Sequence, residues 1–140
     1  MKELIKSIKQ HEGYRSKVYD DSLGIPTIGY GFAIKDLELD EDICDEILKR
    51  KLDLLILSIR KRFDWFYGMP KDIQLVVIEM CYQLGVTGVS KFKKTIKYFE
   101  NKDFKNASIE MLDSKWARQT PNRAKELSNI VRNQVEKISS

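Results

Sequence analysis

Leu4, Ile5 and Ile8 fall on one stripe of a 3.6-residue period, which predicts a short amphipathic helix from the first few residues to about Gln10. Glu12 lies on the same stripe, four residues past Ile8. A helix that reaches it would turn the carboxyl toward the apolar side, half-buried by Ile8. Gly13 ends the pattern, and a helix frayed before Glu12 would instead leave that carboxylate in solvent; periodicity tips slightly toward this second reading. From Lys17 to Ile34 two β-prone runs flank Asp20-Asp21-Ser22-Leu23-Gly24, predicting a hairpin or small sheet. Pro26 suits a strand's first residue. Gly29 and Gly31 alternate with Ile28, Tyr30 and Phe32, leaving one face nearly bare, as where another group approaches closely.

After Asp36 the helical period dominates. Asp40 is placed to cap a helix of about twenty residues with acidic first turns, basic later turns and the i,i+4 pairs Asp45–Lys49 and Glu46–Arg50. Its apolar positions Cys44, Ile47, Leu48, Leu52, Leu55, Ile56 and Ile59 keep helical spacing, so it reads as a connector. The aromatic-rich break from Phe63 to Pro70 reads as a loop anchored in the core in preference to a sugar-stacking platform. Asp72 opens the next helix, apolar nearly all round from Ile73 to Leu84 and so central to a bundle, with Gly85 as an αL cap. Amphipathic segments follow from Ser90 to Glu100 (Phe92, Ile96, Phe99) and from Phe104 to Leu112 (Ile109, Met111, Leu112). Thr120-Pro121 then starts a last helix with Ala124, Leu127, Ile130 and Val131 inside, and Ser139 and Ser140 read as a frayed tail. There is no internal repeat. The expected class is α+β, predominantly α.

The chain of 140 residues, 42% hydrophobic and 33% charged with 7 Gly and 3 Pro, has the make-up of one globular domain and not of a disordered or collagen-like chain. A net charge of +4 is too mild to argue for a nucleic-acid partner. Cys44 and Cys81 have neither CxxC spacing nor a nearby His, so they are expected as two buried thiols, with no metal site and no disulfide. The first twelve residues alternate charge with apolar side chains and contain no signal-type apolar region. The most apolar run, Ile73 to Leu84, is interrupted by Gln74 and Glu79 and falls short of the ~20 residues a bilayer requires, so no stable membrane insertion is expected. Gly29-Tyr30-Gly31 lacks the third glycine and the following helix of a dinucleotide fingerprint, and no cofactor is expected.

The segment from Glu12 to Thr27 carries the candidate chemistry. Two carboxyls in unlike environments suit acid-assisted cleavage of a glycosidic bond: one protonates the leaving oxygen, the other stays ionised to assist water. Glu12 is the candidate acid, Asp21 on its turn the ionised partner, and Thr27 on the returning strand a hydroxyl able to hold a water beside Asp21.

His11-Glu12-Gly13-Tyr14-Arg15-Ser16-Lys17-Val18-Tyr19-Asp20-Asp21, Gly24 and Thr27-Ile28-Gly29-Tyr30-Gly31 together resemble the catalytic region of the phage-type lysozymes, glycoside hydrolase family 24. Glu12, Asp21 and Thr27 stand at the family's intervals, and Asp20 is one residue out of register. A second stretch is similar to the family too: Tyr82 to Val89, Phe92, and Trp116 to Lys125. The region between Ala33 and Pro70 matches poorly and is shorter than in larger members. The resemblance implies a single lysozyme domain over 1–140, with lobes at about 12–38 and 62–140, helix 1–11 packing on the C-terminal lobe, helix 40–62 as connector, and a cleft between the lobes.

It further implies a metal-free, inverting hydrolase of the bond between N-acetylmuramic acid and N-acetylglucosamine in bacterial peptidoglycan. Glu12 would be the acid, Asp21 the assisting carboxylate and Thr27 the water-positioning hydroxyl. Ala33, Tyr82, Gln83, Thr95 and Glu110 would face saccharide, and Arg123 would pair with the catalytic glutamate and line the same site. Phe32 stands where many relatives have His, removing any ion pair that residue makes. His11 reads as a helix-end surface residue. The expected protein is a monomer, made in the host cytoplasm without a signal peptide and delivered to the wall by a separate pore or tail component. Rival readings are a wall-binding or structural module without turnover and a lytic transglycosylase; a helical nucleic-acid binder ranks last.

Overall fold

The structure, a computed structural model, describes residues 1–139; Ser140 lies outside the described residues, and with it that end of the expected tail. The chain forms two compact units, Met1–Asp45 and the remainder from Glu46, with a small three-stranded sheet in the first and helices in the second. The α+β, mainly helical class holds.

In the first unit helix α1 spans Lys2–Glu12 and so reaches the glutamate. Gly13 ends it at φ 72°, ψ 161°, its N–H bonded to Lys9 O. That conformation is open to glycine and strained for other residues, and it turns the chain straight into strand β1, Arg15–Asp20. Strands β2 (Pro26–Gly29) and β3 (Phe32–Ala33) follow, all antiparallel in the order β1-β2-β3. Tyr19 pairs with Thr27 and Asp20 with Pro26, while Thr27 pairs across its other side with Ala33. Leu4, Ile5 and Ile8 keep their common stripe but stay exposed, as does Glu12. The expectation that Ile8 half-buries Glu12 is therefore corrected: an apolar neighbour one turn back desolvates a carboxyl only when something else covers both.

Helix α2, Glu41–Arg62, begins with the expected cap, Ile43 N–H donating to Asp40 Oδ1 at 2.9 Å, and the boundary between the units falls inside it. The Glu46–Arg50 pair forms at 3.0 Å. Cys44 is exposed, against expectation, because of the apolar positions on this helix only Ile59, near its end, is fully covered.

In the second unit the aromatic break anchors the core: Phe63, Phe66 and Met69 are buried, and Trp65 lies 5.1 Å from the Phe63 ring and 5.9 Å from that of Phe99. Each such buried side chain contributes roughly 1.5–3 kcal/mol. Helix α3, Lys71–Ser90, runs past the expected end, with Pro70 and not Asp72 at its cap. Gly85 interrupts it at φ 79°, ψ 157°, a positive-φ conformation outside the expected αL region. By length and composition alone α3 could cross a membrane. In this fold Ile73, Val76, Val77, Met80 and Cys81 are core residues, while Leu75 and Tyr82 are exposed, so the helix is not enclosed all round.

Helices α4 (Lys93–Glu100), α5 (Phe104–Leu112), α6 (Lys115–Gln119) and α7 (Pro121–Ser139) complete the unit, and α7 packs on α3, α5 and α6. Ser139 thus ends a helix and is not a tail. Pro121 is the first helical residue as anticipated, but the Thr120 hydroxyl donates back to Trp116 O at 3.0 Å instead of capping α7. Ile109, Leu112 and Ile130, expected inside, are exposed; Ser108, Ser128 and Gln134 are buried in their stead.

Candidate active site

Glu12, Asp21 and Thr27 all lie in the first unit, ordered by the sheet. The Asp20–Gly24 turn is fixed by hydrogen bonds that converge on Asp21 and Ile25. Asp21 Oδ1 accepts from the N–H of Leu23 at 2.8 Å and of Ile25 at 2.9 Å. The Ile25 carbonyl in turn accepts from Asp21 N–H at 3.0 Å and from the Thr27 hydroxyl at 2.8 Å. Both polar side chains are thereby pinned to one residue of the turn. Among the described residues Asp21 Oδ2 has no hydrogen-bond partner, and the Thr27 hydroxyl, its proton committed to Ile25, has lone pairs left to accept. Thr27 is 4% exposed and Asp21 half-buried.

Glu12 is held at the other end of β2. Its carboxyl lies over Gly31, in the turn between β2 and β3: a Cβ built on Gly31 would sit 3.0 Å from Glu12 Cδ and closer still to Oε2. Gly29 is similarly covered by the Phe32 ring, 2.7 Å from where its Cβ would be. The bare glycine face read from the sequence is thus filled by two side chains of the protein. Tyr30, between the glycines, has the Tyr14 ring at 5.7 Å, the Phe32 ring edge-on at 6.2 Å and the Lys9 ammonium 5.2 Å from its centroid. These contacts tie α1 to the sheet beside Glu12. Sequence reasoning missed this aromatic cluster, although Tyr14 and Tyr30 stand within the quoted motif and Phe32 directly follows it. His11 is exposed on α1, its Nδ1 3.4 Å from the Ser7 hydroxyl, as a helix-end surface residue would be.

Of the expected saccharide-facing residues, Ala33 is the cross-strand partner of Thr27. The others belong to the second unit. Thr95 and Glu110 line an open cavity of about 470 Å³ with Leu84, Phe92 and Trp116. Trp116 is buried, edge-on to Phe92 at 6.1 Å, and its indole N–H donates to Gln83 Oε1 at 2.9 Å, which ties Gln83 to this wall. Tyr82 lies elsewhere, on a shallower cavity of about 340 Å³ with Leu54, Leu55 and Cys81. Arg123 Nε pairs with Glu79 of α3 at 2.8 Å, a different carboxylate from the one the resemblance implies. Among the described residues no three His, Cys, Asp or Glu side chains converge so as to hold a metal ion.

The family description that fits the chain is phage lysozyme, over residues 9–136. The chain is 24% identical to "Probable T4-type lysozyme 2" of Dictyostelium discoideum, covering 88% of this chain and 89% of that protein. It is 27% identical to "Probable T4-type lysozyme 1" of the same organism, over 89% and 90%. It is also 26% identical to "Pre-baseplate central spike protein Gp5" of Enterobacteria phage T4, where the match takes in 91% of this chain but 27% of that protein.

Proposed function

Since the chain belongs to the phage lysozyme family, we propose that it hydrolyses the bond between N-acetylmuramic acid and N-acetylglucosamine in bacterial peptidoglycan by acid-assisted attack of water. The observation that carries this reading is the shared anchoring of Asp21 and Thr27 on Ile25. A water placed between them donates one hydrogen to the Thr27 oxygen and the other to Asp21 Oδ2, which takes the proton as the water oxygen attacks the sugar's anomeric carbon. Glu12, protonated, gives its proton to the departing glycosidic oxygen. The acid and the base stand at opposite ends of β2, whose four residues span about 10 Å at ~3.3 Å each. The inverting course follows the family resemblance, and an inverting pair needs roughly 6.5–9.5 Å between its carboxyls for the intervening water, against about 5 Å for a retaining pair. A lytic transglycosylase needs the acid but no water site, so the Asp21–Thr27 arrangement favours hydrolysis. Ala33, Gln83, Thr95 and Glu110 bind saccharide in this reading.

The biological setting we propose is phage or prophage lysis, with the enzyme acting on the wall after release and brought there by a separate pore or tail component. Clearing of permeabilised bacteria tests the chemistry. The parent clears the suspension, while Glu12→Gln, equally folded by circular dichroism, loses a factor of roughly a hundred or more. Released fragments carry reducing ends. Equal clearing by the variant, anhydro-sugar ends, or wall binding without clearing by the parent would each overturn the reading.

A further inference from the structure

The charge of the chain is unevenly divided. Residues 46–140 hold 19 Lys and Arg against 11 Asp and Glu, whereas residues 1–45 hold 6 against 10. Part of the basic excess borders the Trp116 cavity: Lys91, Lys93 and Lys94 follow one another around the α3–α4 junction and Lys115 opens α6, all four exposed and all lining the cavity of about 470 Å³. None of the four has a carboxylate within ion-pair distance among the described residues. Lys97, one turn further along α4, extends the row, and no acidic residue occurs between Ser90 and Phe99. By contrast Arg50, Arg123 and Lys137 of the same unit are all engaged by carboxylates.

We propose that this lysine rim binds a phosphodiester-bearing polymer attached to the bacterial wall, alongside the glycan; the identity of the surface as a wall rests on the function proposed above. Three features select that chemistry. Uncompensated ammonium groups in a row gain from a chain of repeated charges through release of its counterions. All four are lysines, which act as point charges; a fixed single carboxylate, such as that of a stem peptide, is better matched by an arginine fork. Glu110 and Asp113 line the same cavity and disfavour an anion inside it. The polyanion therefore runs along the rim, while the apolar wall of Phe92 and Trp116 and the Thr95 hydroxyl remain for uncharged sugar.

The test separates binding from turnover. The Glu12→Gln protein is sedimented with isolated walls, either native or stripped of phosphate polymer by hydrofluoric acid, across a salt series. Native walls bind it at least tenfold more tightly at low salt, and stripping abolishes the preference. The triple variant Lys91→Gln/Lys93→Gln/Lys94→Gln loses the preference and lowers the slope of log affinity on log salt by about 2; Lys→Arg at the same positions restores it, which excludes misfolding as the cause. Equal binding to native and stripped walls, an unchanged preference in the triple variant, or tighter binding to duplex DNA at equal phosphate concentration would overturn the proposal. Clearing of stripped walls by the wild type, measured in parallel, reports on the hydrolase reading independently.

Discussion

Replacing Gly31 with alanine tests whether the placement of the Glu12 carboxyl limits turnover. Gly31 has φ +75°, and the added methyl would lie 3.0 Å from Glu12 Cδ, with Oε2 nearer still. Non-bonded carbons rest at about 3.5–4.0 Å, so the carboxyl must retreat by roughly 0.5–1 Å. Glu12 is an exposed, flexible side chain, so the retreat costs little stability. The backbone term is larger, since alanine in a left-handed conformation costs about 1–2 kcal/mol, or roughly 3–10 °C in Tm for a chain of this size. A misplacement of about 1 Å at a reacting group can cost on the order of a hundredfold. Gly31→Ala should therefore lose about 10- to 100-fold in kcat for wall hydrolysis with only a modest drop in Tm. Gly29→Ala supplies the control: its φ is +70° and its methyl would meet the Phe32 ring at 2.7 Å, so it takes on similar backbone strain without touching Glu12. Turnover measured on soluble glycan fragments well below both melting transitions makes the comparison. Wild-type kcat in Gly31→Ala, or an equal loss in both variants, would refute the reasoning.

Two further outcomes follow from the second unit. Trp116→Phe removes the donor to Gln83 Oε1 from a 4%-exposed position and should cost about 1–3 kcal/mol in urea unfolding, with a coupling of at least 0.5 kcal/mol in a cycle with Gln83→Met; additivity would show the bond to be idle. Burial pushes the Cys81 thiol up to about 12 from an ordinary 9, while Cys44 is exposed. At pH 8 a thiol reagent should therefore titrate one group in the native protein and the second only on unfolding. Because the folded state holds the Cys81 proton more tightly, stability should be intact below pH 9 and fall by up to about 1.4 kcal/mol per pH unit from there toward 12. Cys81→Ala should lack that fall; the same fall in the variant would assign it elsewhere.

What the sequence disclosed was local. The Asp40 cap, the Glu46–Arg50 pair and the bounds of α5 depend on groups within about a turn of each other, so spacing alone reveals them. Helix α6 escaped because five residues are too few to show a period, although Ser114, which accepts from Ala117 N–H at 3.1 Å, is an ordinary cap residue. The facing of α5 and α7 failed for a different reason. Ser108 and Ser128 donate to carbonyls one turn back, Lys105 O at 2.7 Å and Lys125 O at 3.0 Å, so their hydroxyls are satisfied within the helix and can be buried cheaply. Ile109, Leu112 and Ile130 are left outside. Hydropathy ranks those positions the wrong way because it treats each hydroxyl as unpaired.

The candidate site shows the same limit in a sharper form. The intervals that separate Glu12, Asp21 and Thr27 single them out as candidates, yet the positions of their side chains are set by Gly31 and by the main chain of Ile25, neither of which carries reactive chemistry. The alternating glycines did announce that something approaches the strand closely. They could not say what, because the Glu12 carboxyl and the Phe32 ring compete for the same bare surface and only the turn at Tyr30 assigns one to each glycine. Once that turn is fixed, two positive-φ glycines two residues apart form adjoining seats, one occupied by the Phe32 ring and one by the Glu12 carboxyl. Placing the Glu12 carboxyl thus depends on a missing Cβ more than on any hydrogen bond. A substitution that leaves every polar contact intact can therefore still move the carboxyl proposed as proton donor.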